Sequence, residues 1–182
     1  MFTLPVITLI FSVICVSPSW AANQSNYDLF KRVQEHVLRY SFFTVFDDVS
    51  AEIAQNGHVV LTGHVLGDHK KEDIAKRVKS VEGVANVINN IQVLPASQVD
   101  DQLRYQVARV IYGNPNFWHY FNRSNPSVHI VVNRGHVTLT GVVDTAIDRT
   151  LAGILATQFD AFSVTNELRL RTEVAADIEA LG

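Results

Sequence analysis

The sequence predicts an α+β protein of two tandem α-β-β-α-β units, each a three-stranded sheet with two helices on one face. Three observations predict it. The octapeptide HVVLTGHV at residues 58–65 returns as HVTLTGVV at residues 136–143, 78 positions later, and so regular a return marks a duplicated supersecondary unit. Around each copy, apolar residues run first at helical spacing, then in alternation, then at helical spacing again, and end in a last alternating segment. Finally, 182 residues of which 47% are hydrophobic can bury one ordinary core or two small ones.

Taken in order, Phe30, Val33, Val37 and Tyr40 form the stripe of the first helix, and Leu103, Val107 and Val110 that of its counterpart. Two alternating segments follow in each unit, joined by a Gly turn at Asn56-Gly57 and at Arg134-Gly135, as a tight hairpin requires. Gly57, just before the first octapeptide, permits a positive φ, while within it Val59 and Leu61 point inward and Gly63 is expected to end the strand. The second helices are expected to start at Asp68 and Asp144 as caps, with Ile74 and Val78 matching Leu151 and Leu155. Val87, Asn89, Ile91 and Val93 then match Val164, Asn166, Leu168 and Leu170 in the closing strands.

The copies differ where loops tolerate change. YGNPNFWHYFNRSNP, after the first helix of the second unit, exceeds its counterpart by about four residues. Ala51 and Ile53 sit one step out of register with Ile130 and Val132, which places an extra residue or bulge at Gln55-Asn56-Gly57. The expected division is a signal peptide at 1–21, a first unit at 26–95, a linker at 96–99, a second unit at 100–171 and a short tail at 172–182. So short a linker brings the two units together.

Residues 1–25 contain no Lys, Arg, Asp or Glu, and an apolar run from Leu4 to Val16 leads to Ser19-Trp20-Ala21, the pattern of a secretory signal cut near Ala21 or Ala22. About 13 apolar residues are too few for the roughly 20 of a membrane-spanning helix. Cys15, the sole cysteine, lies in this segment, and Ile14 before it does not suit lipidation, so a soluble periplasmic protein is expected. Residues 26–95 hold 8 basic and 9 acidic side chains, and residues 100–171 hold 7, all Arg, and 6. Neither unit has the basic excess of a nucleic-acid binder.

The α-β-β-α-β pattern with NGHVVLTGHV and then IAKRVKSVEGVANVINNIQV resembles the BON domain, found singly or in tandem in bacterial envelope proteins induced by osmotic stress and in outer-membrane maintenance proteins. The Gly-x-Val-x-Leu-x-Gly signature stands as Gly57, Val59, Leu61 and Gly63, then as Gly135, Val137, Leu139 and Gly141. The Gly83-Val84 of the first copy becomes Asp160-Ala161 in the second. The resemblance implies phospholipid association at the bacterial envelope and no catalytic residues.

The residues themselves carry little chemistry. His58 and His64 share a strand face but lie about 20 Å apart when extended, and the other five histidines are scattered, so no metal site and no cofactor is expected. No nucleophile motif occurs, and Asp47-Asp48 reads as a solvated loop, so no enzyme is expected. Aromatic density is the unusual feature: Tyr112, Phe117, Trp118, Tyr120 and Phe121 fall within ten residues, near Arg104, Arg109 and Arg123. Trp and Tyr favour the headgroup level of a bilayer, and Arg pairs with phosphate. Arg104, Arg109, Tyr112, Trp118, Tyr120 and Arg123 are therefore the expected lipid-binding residues, serving a periplasmic protein peripheral to the outer membrane. Two alternatives stand beside this: Phe117 and Phe121 as core residues with Trp118 and Tyr120 covering the other unit, and an adaptor docking an envelope protein. The helix HKKEDIAKRVK, with Lys70, Lys71, Arg77 and Lys79 interrupted by Glu72 and Asp73, reads as a solvated charged face.

Overall fold

The computed structural model describes residues 19–121 and 126–180; residues 1–18, most of the signal peptide expected at 1–21, and Arg123 lie outside them. The first unit runs α1 (Ser19–Leu38), β1 (Asp48–Ile53), β2 (His58–Val65), α2 (Asp68–Lys79) and a third strand in two pieces, β3 (Asn86–Asn89) and β4 (Gln92–Val93). The second runs α3 (Gln98–Gly113), a 3-10 turn (Pro115–Phe117), the single turn α4 (Trp118–Phe121), β5 (Val128–Asn133), β6 (His136–Val143), α5 (Ala146–Ala156), β7 (Ser163–Asn166) and β8 (Arg169–Leu170). A last helix, α6 (Arg171–Ala180), follows. In both units the hairpin is antiparallel and the interrupted third strand runs parallel to its second member. Two helices cover each sheet, so the chain is an α+β fold in two repeated units.

The repeated octapeptide explains the repeated geometry. Val59, Leu61 and Val65 are fully buried in β2, as are Val137, Leu139 and Val143 in β6. Gly63 does not end its strand, contrary to expectation; β2 continues to Val65. It holds φ +114°, where a Cβ would lie 2.1 Å from the Asp48 carbonyl oxygen, and Gly141 meets Ser127 in the same way. The extra residue of the first unit sits in the hairpin turn. There Ala54 N donates to His58 O (2.8 Å) around Gln55, Asn56 and Gly57, whereas Asn133 pairs directly with His136 around the two-residue turn Arg134-Gly135. Both turn residues of the second hairpin have positive φ, the type I′ geometry that suits strand twist. The break in each third strand is made by one side chain. Asn89 donates to Lys71 O and accepts from Ile91 N; Asn166 does the same with Arg149 O and Leu168 N.

Helix details depart from expectation in four places. The buried stripe of α1 is Leu29, Val33 and Val37, continued by Tyr40 beyond the helix, with Phe30 only half-buried because it sits one position round the helix. Gly67 and Thr145 precede the second helices in place of Asp68 and Asp144, and the Thr145 hydroxyl accepts from Asp148 N (3.0 Å). In α5 the fully buried apolar positions are Ala152 and Ala156 rather than Leu151, which is half-buried. Ser97 caps α3 through Asp100 N, so this helix begins inside the expected linker, and the expected tail is largely helical.

Each unit has its own core, and the turn after α1 joins them. Phe46 of the first unit packs on the second core and meets the Tyr105 ring edge-on at 5.3 Å. Phe43 meets His129 in the same way at 5.6 Å. Ile130 N donates to Val45 O (2.7 Å), so this turn lies along the outer edge of β5.

Candidate functional site

The site is built on the turn from the second strand into the following helix. In the first unit this turn is held by Asp47, which is fully buried and accepts from Thr44 N and Oγ1 (both 2.8 Å), Leu66 N (3.0 Å) and Lys70 Nζ (2.6 Å). Asp47 is therefore not in a solvated loop and Lys70 is not on a solvated face; each neutralises the other where neither charge could stand alone. In the second unit the positions 78 after Leu66 and Lys70, Asp144 and Asp148, meet a phenol instead. Asp144 N donates to the Tyr120 hydroxyl (2.7 Å), and that hydroxyl donates to Asp148 Oδ2 (2.8 Å). Burial raises the Tyr120 phenol to about 12.

This anchoring decides which expected lipid-binding residues reach the surface. Tyr120 is fully buried and is occupied by Asp148, so it is not an interface residue. Arg104 is 2% exposed, donating to Asp101 and to the Val132 carbonyl inside the unit, because its place on α3 faces β5. Tyr112 is half-buried and donates to the Val128 carbonyl, its phenol pushed well up by burial. Arg123 lies outside the described residues. Arg109 and Trp118 are exposed, Trp118 to 59%.

Two neighbours join them at the surface. Phe121, placed in the core by the alternative reading, is 54% exposed and leans on the Tyr112 ring at 5.2 Å, while Phe117 is fully buried. Tyr105 is 65% exposed, one helical turn before Arg109. Trp118 and Phe121 on the turn after α3, and Tyr105 and Arg109 on α3, are thus exposed, while Phe117, Tyr120 and Arg104 are buried.

A second cluster beside this corner is absent from the expectations. His119, next to Trp118, places Nε2 3.5 Å from Asp144 Oδ2, and Asp144 Oδ1 accepts from Arg171 Nε at 2.6 Å. Arg149 on α5 reaches Glu173 at 3.1 Å, and Arg169 on β8 pairs with Asp177. Glu173 also accepts from Leu170 N (2.8 Å), and this bond, with Arg149 and Arg169 nearby, holds its carboxyl below the usual range. Arg149 and Arg169 are 20 positions apart on a helix and a strand, so no basic run marks them; only the excess of Arg in the second unit hinted at them.

Among the described residues no group of three or more His, Cys, Asp or Glu is placed to hold a metal ion, and no helix is long and apolar enough to cross a membrane. Comparison with known proteins addresses the family. No curated protein matches the chain. Among solved structures, the C-terminal domain of CdsD, a structural protein of the type III secretion system of Chlamydia trachomatis, is similar at 17% identity, covering 84% of this chain and 69% of that one, with a TM-score of 0.34. A second structure of CdsD is similar at 16% identity over 84% of this chain and 97% of that one, with a TM-score of 0.29. The family model of the BON domain matches residues 31–95 and again residues 99–172. With both α-β-β-α-β units matched in this way, the chain belongs to the BON-domain family and carries the domain in tandem.

Proposed function

We propose that this is a non-enzymatic envelope-maintenance protein of the periplasm that binds anionic phospholipid membranes through α3 and the aromatic turn after it. BON domains serve as phospholipid-binding or interaction modules. The observation that carries the reading is the exposure of Trp118 and Phe121 on the turn after α3 together with that of Tyr105 and Arg109 on α3 itself. Aromatic rings of this kind lie at headgroup depth, and a guanidinium among them meets phosphate. Tyr120 and Arg104 support the surface from beneath rather than forming it.

Flotation with phosphatidylglycerol vesicles tests this. The protein is expected to float with the vesicles, less so as salt rises. Replacing Trp118 and Phe121 together by Ala should cut binding about tenfold while shifting the melting temperature little, because both side chains are more than half exposed. Unchanged binding of that variant would remove the reading. An adaptor role has an observation of its own: Ile147 is 75% exposed and Ile154 57% exposed on α5, whose two charged side chains, Asp148 and Arg149, are engaged within the chain. An adaptor would stay at the bottom of the gradient.

A further inference from the structure

Helix α6 is held in an unusual way. Among the residues 171–177 whose side chains are described, none is fully buried and only Glu173 and Val174 are half-buried. Its described attachments are polar: Glu173 to Arg149 and Leu170 N, Asp177 to Arg169, and Arg171 to Asp144. All of these ion-pair partners are substantially exposed, and exposed ion pairs stabilise weakly and fade with salt. Ten residues also fall below the roughly 12–15 at which an isolated helix becomes even marginally stable. The carboxylates of the helix and the arginines they meet are therefore its principal described contacts with the second unit.

What the carboxylates occupy has the character of an anion site. Arg149 on α5 meets Glu173, whose two oxygens lie 3.1 and 3.4 Å from its Nη1, and Arg169 on β8 meets Asp177, one helical turn further along α6. Two guanidinium groups from a helix and a strand, each paired with a carboxylate on the same face of one helix, suit phosphate as well as carboxylate. The Trp118 corner is close in the chain of contacts, through His119, Asp144 and Arg171.

We infer that Arg149 and Arg169 form a phosphate site that the acidic helix α6 fills in cis, and that a phosphate-bearing ligand, foremost a lipid headgroup, displaces it. The inference rests on the membrane reading above and extends it: the Trp118 corner makes first contact, and release of α6 adds a second anchor. Removal of Glu173 and Asp177 from the surface also removes negative charge that would repel an anionic bilayer.

The test uses the full chain, with Glu173→Gln/Asp177→Asn to weaken the latch and Glu52→Gln/Glu82→Gln as a charge-matched control on exposed first-unit sites. The latch variant should bind phosphatidylglycerol vesicles roughly tenfold more tightly than the control variant, since each charge near an anionic surface is worth about a fivefold change. Adding Arg149→Gln/Arg169→Gln should abolish that gain, and a chain ending at Leu170 should reproduce it. In the unaltered protein, amide hydrogen exchange over residues 171–180 should accelerate on addition of phosphatidylglycerol vesicles but not phosphatidylcholine vesicles. Inorganic phosphate alone separates the sources: acceleration at millimolar phosphate with no vesicle gain assigns the site to free phosphate. Equal gains in the latch and control variants, a gain that survives loss of both arginines, or unchanged exchange in vesicle-bound protein would each overturn the proposal. Failure of the membrane reading looks different: Trp118→Ala/Phe121→Ala would leave binding intact while the latch variant still gained.

Discussion

Asp47 and Lys70 stand 23 residues apart in the sequence and 2.6 Å apart in the fold, and their burial makes them the most consequential polar pair of the first unit. Lys70→Met would leave the Asp47 carboxylate without its ammonium partner, at a cost of about 3–5 kcal/mol. Tyr120→Phe at the related turn deletes the neutral donor to Asp148, which keeps its bond from the Thr145 hydroxyl (2.8 Å), and the hydroxyl acceptor of Asp144 N, so about 1–3 kcal/mol is expected. Urea unfolding of the two variants should show the larger fall in midpoint for Lys70→Met; the reverse order would mean that the first turn is not held by this pair. Neither role was legible in the sequence. Asp47-Asp48 and HKKEDIAKRVK have the composition of solvated segments, and composition does not say that one member of each lies against the other. Arg104 and Tyr120 failed as surface residues for a related reason. Arg and Tyr combine apolar bodies with polar ends and serve equally well inside a fold with partners or at a membrane without them.

Among the elements, the hairpin of the second unit depends on a carboxylate from a helix. Asp100, 2% exposed on the first turn of α3, accepts from Arg134 N and Gly135 N, both at 2.8 Å, and so binds the two residues that hold positive φ. Asp100→Ala should cost about 2 kcal/mol by leaving both donors without this acceptor. Arg134→Asn should act in the opposite direction, by about 0.5 kcal/mol or more, because Asn tolerates the left-handed region better than Arg. Thermal melts of the two variants check both signs; a melting temperature lowered by Arg134→Asn would show that the Arg side chain contributes more than its backbone strain takes away. The elements themselves were readable because the duplicated octapeptide fixes strand, turn and inward face together, and even the extra residue of the first turn showed as a slip in register. Caps and helix edges were less readable. Asp, Thr and Gly occur side by side at these junctions, and only the hydrogen bond from Asp148 N to Thr145 decides between neighbours. The tail helix was invisible, since its apolar periodicity is weak and the arginines that meet its carboxylates, Arg149 and Arg169, lie elsewhere in the chain.

At the scale of the whole molecule, the two units meet through the turn at Phe43–Phe46 and strand β5. His129 sits in that junction against Phe43, with Nδ1 buried and without a hydrogen-bond partner. Burial lowers its pKa below 6.5, although Asp48, Asp47 and the backbone of Thr44 and Asp47 pull the other way. The folded state then binds fewer protons than the unfolded state just below pH 6.5, so this stabilisation is complete above that value and declines as pH falls through it. The melting temperature should drop between pH 7 and pH 5, and His129→Phe should flatten that slope; an equal slope in the variant would place the titrating group elsewhere. Tandem copies of one fold carry a hazard during synthesis, because a helix of one copy can pack on the sheet of the other. The unlike anchors of the two strand-to-helix turns act against that exchange. Helix α5 on the first sheet would bring Asp148 against Asp47, two carboxylates shut in together, and α2 on the second would confront the Tyr120 phenol with the Lys70 ammonium and no carboxylate to receive it. Divergence at this one turn thus leaves each helix with the partner that its own sheet's anchor requires and not the one that the other sheet's anchor requires.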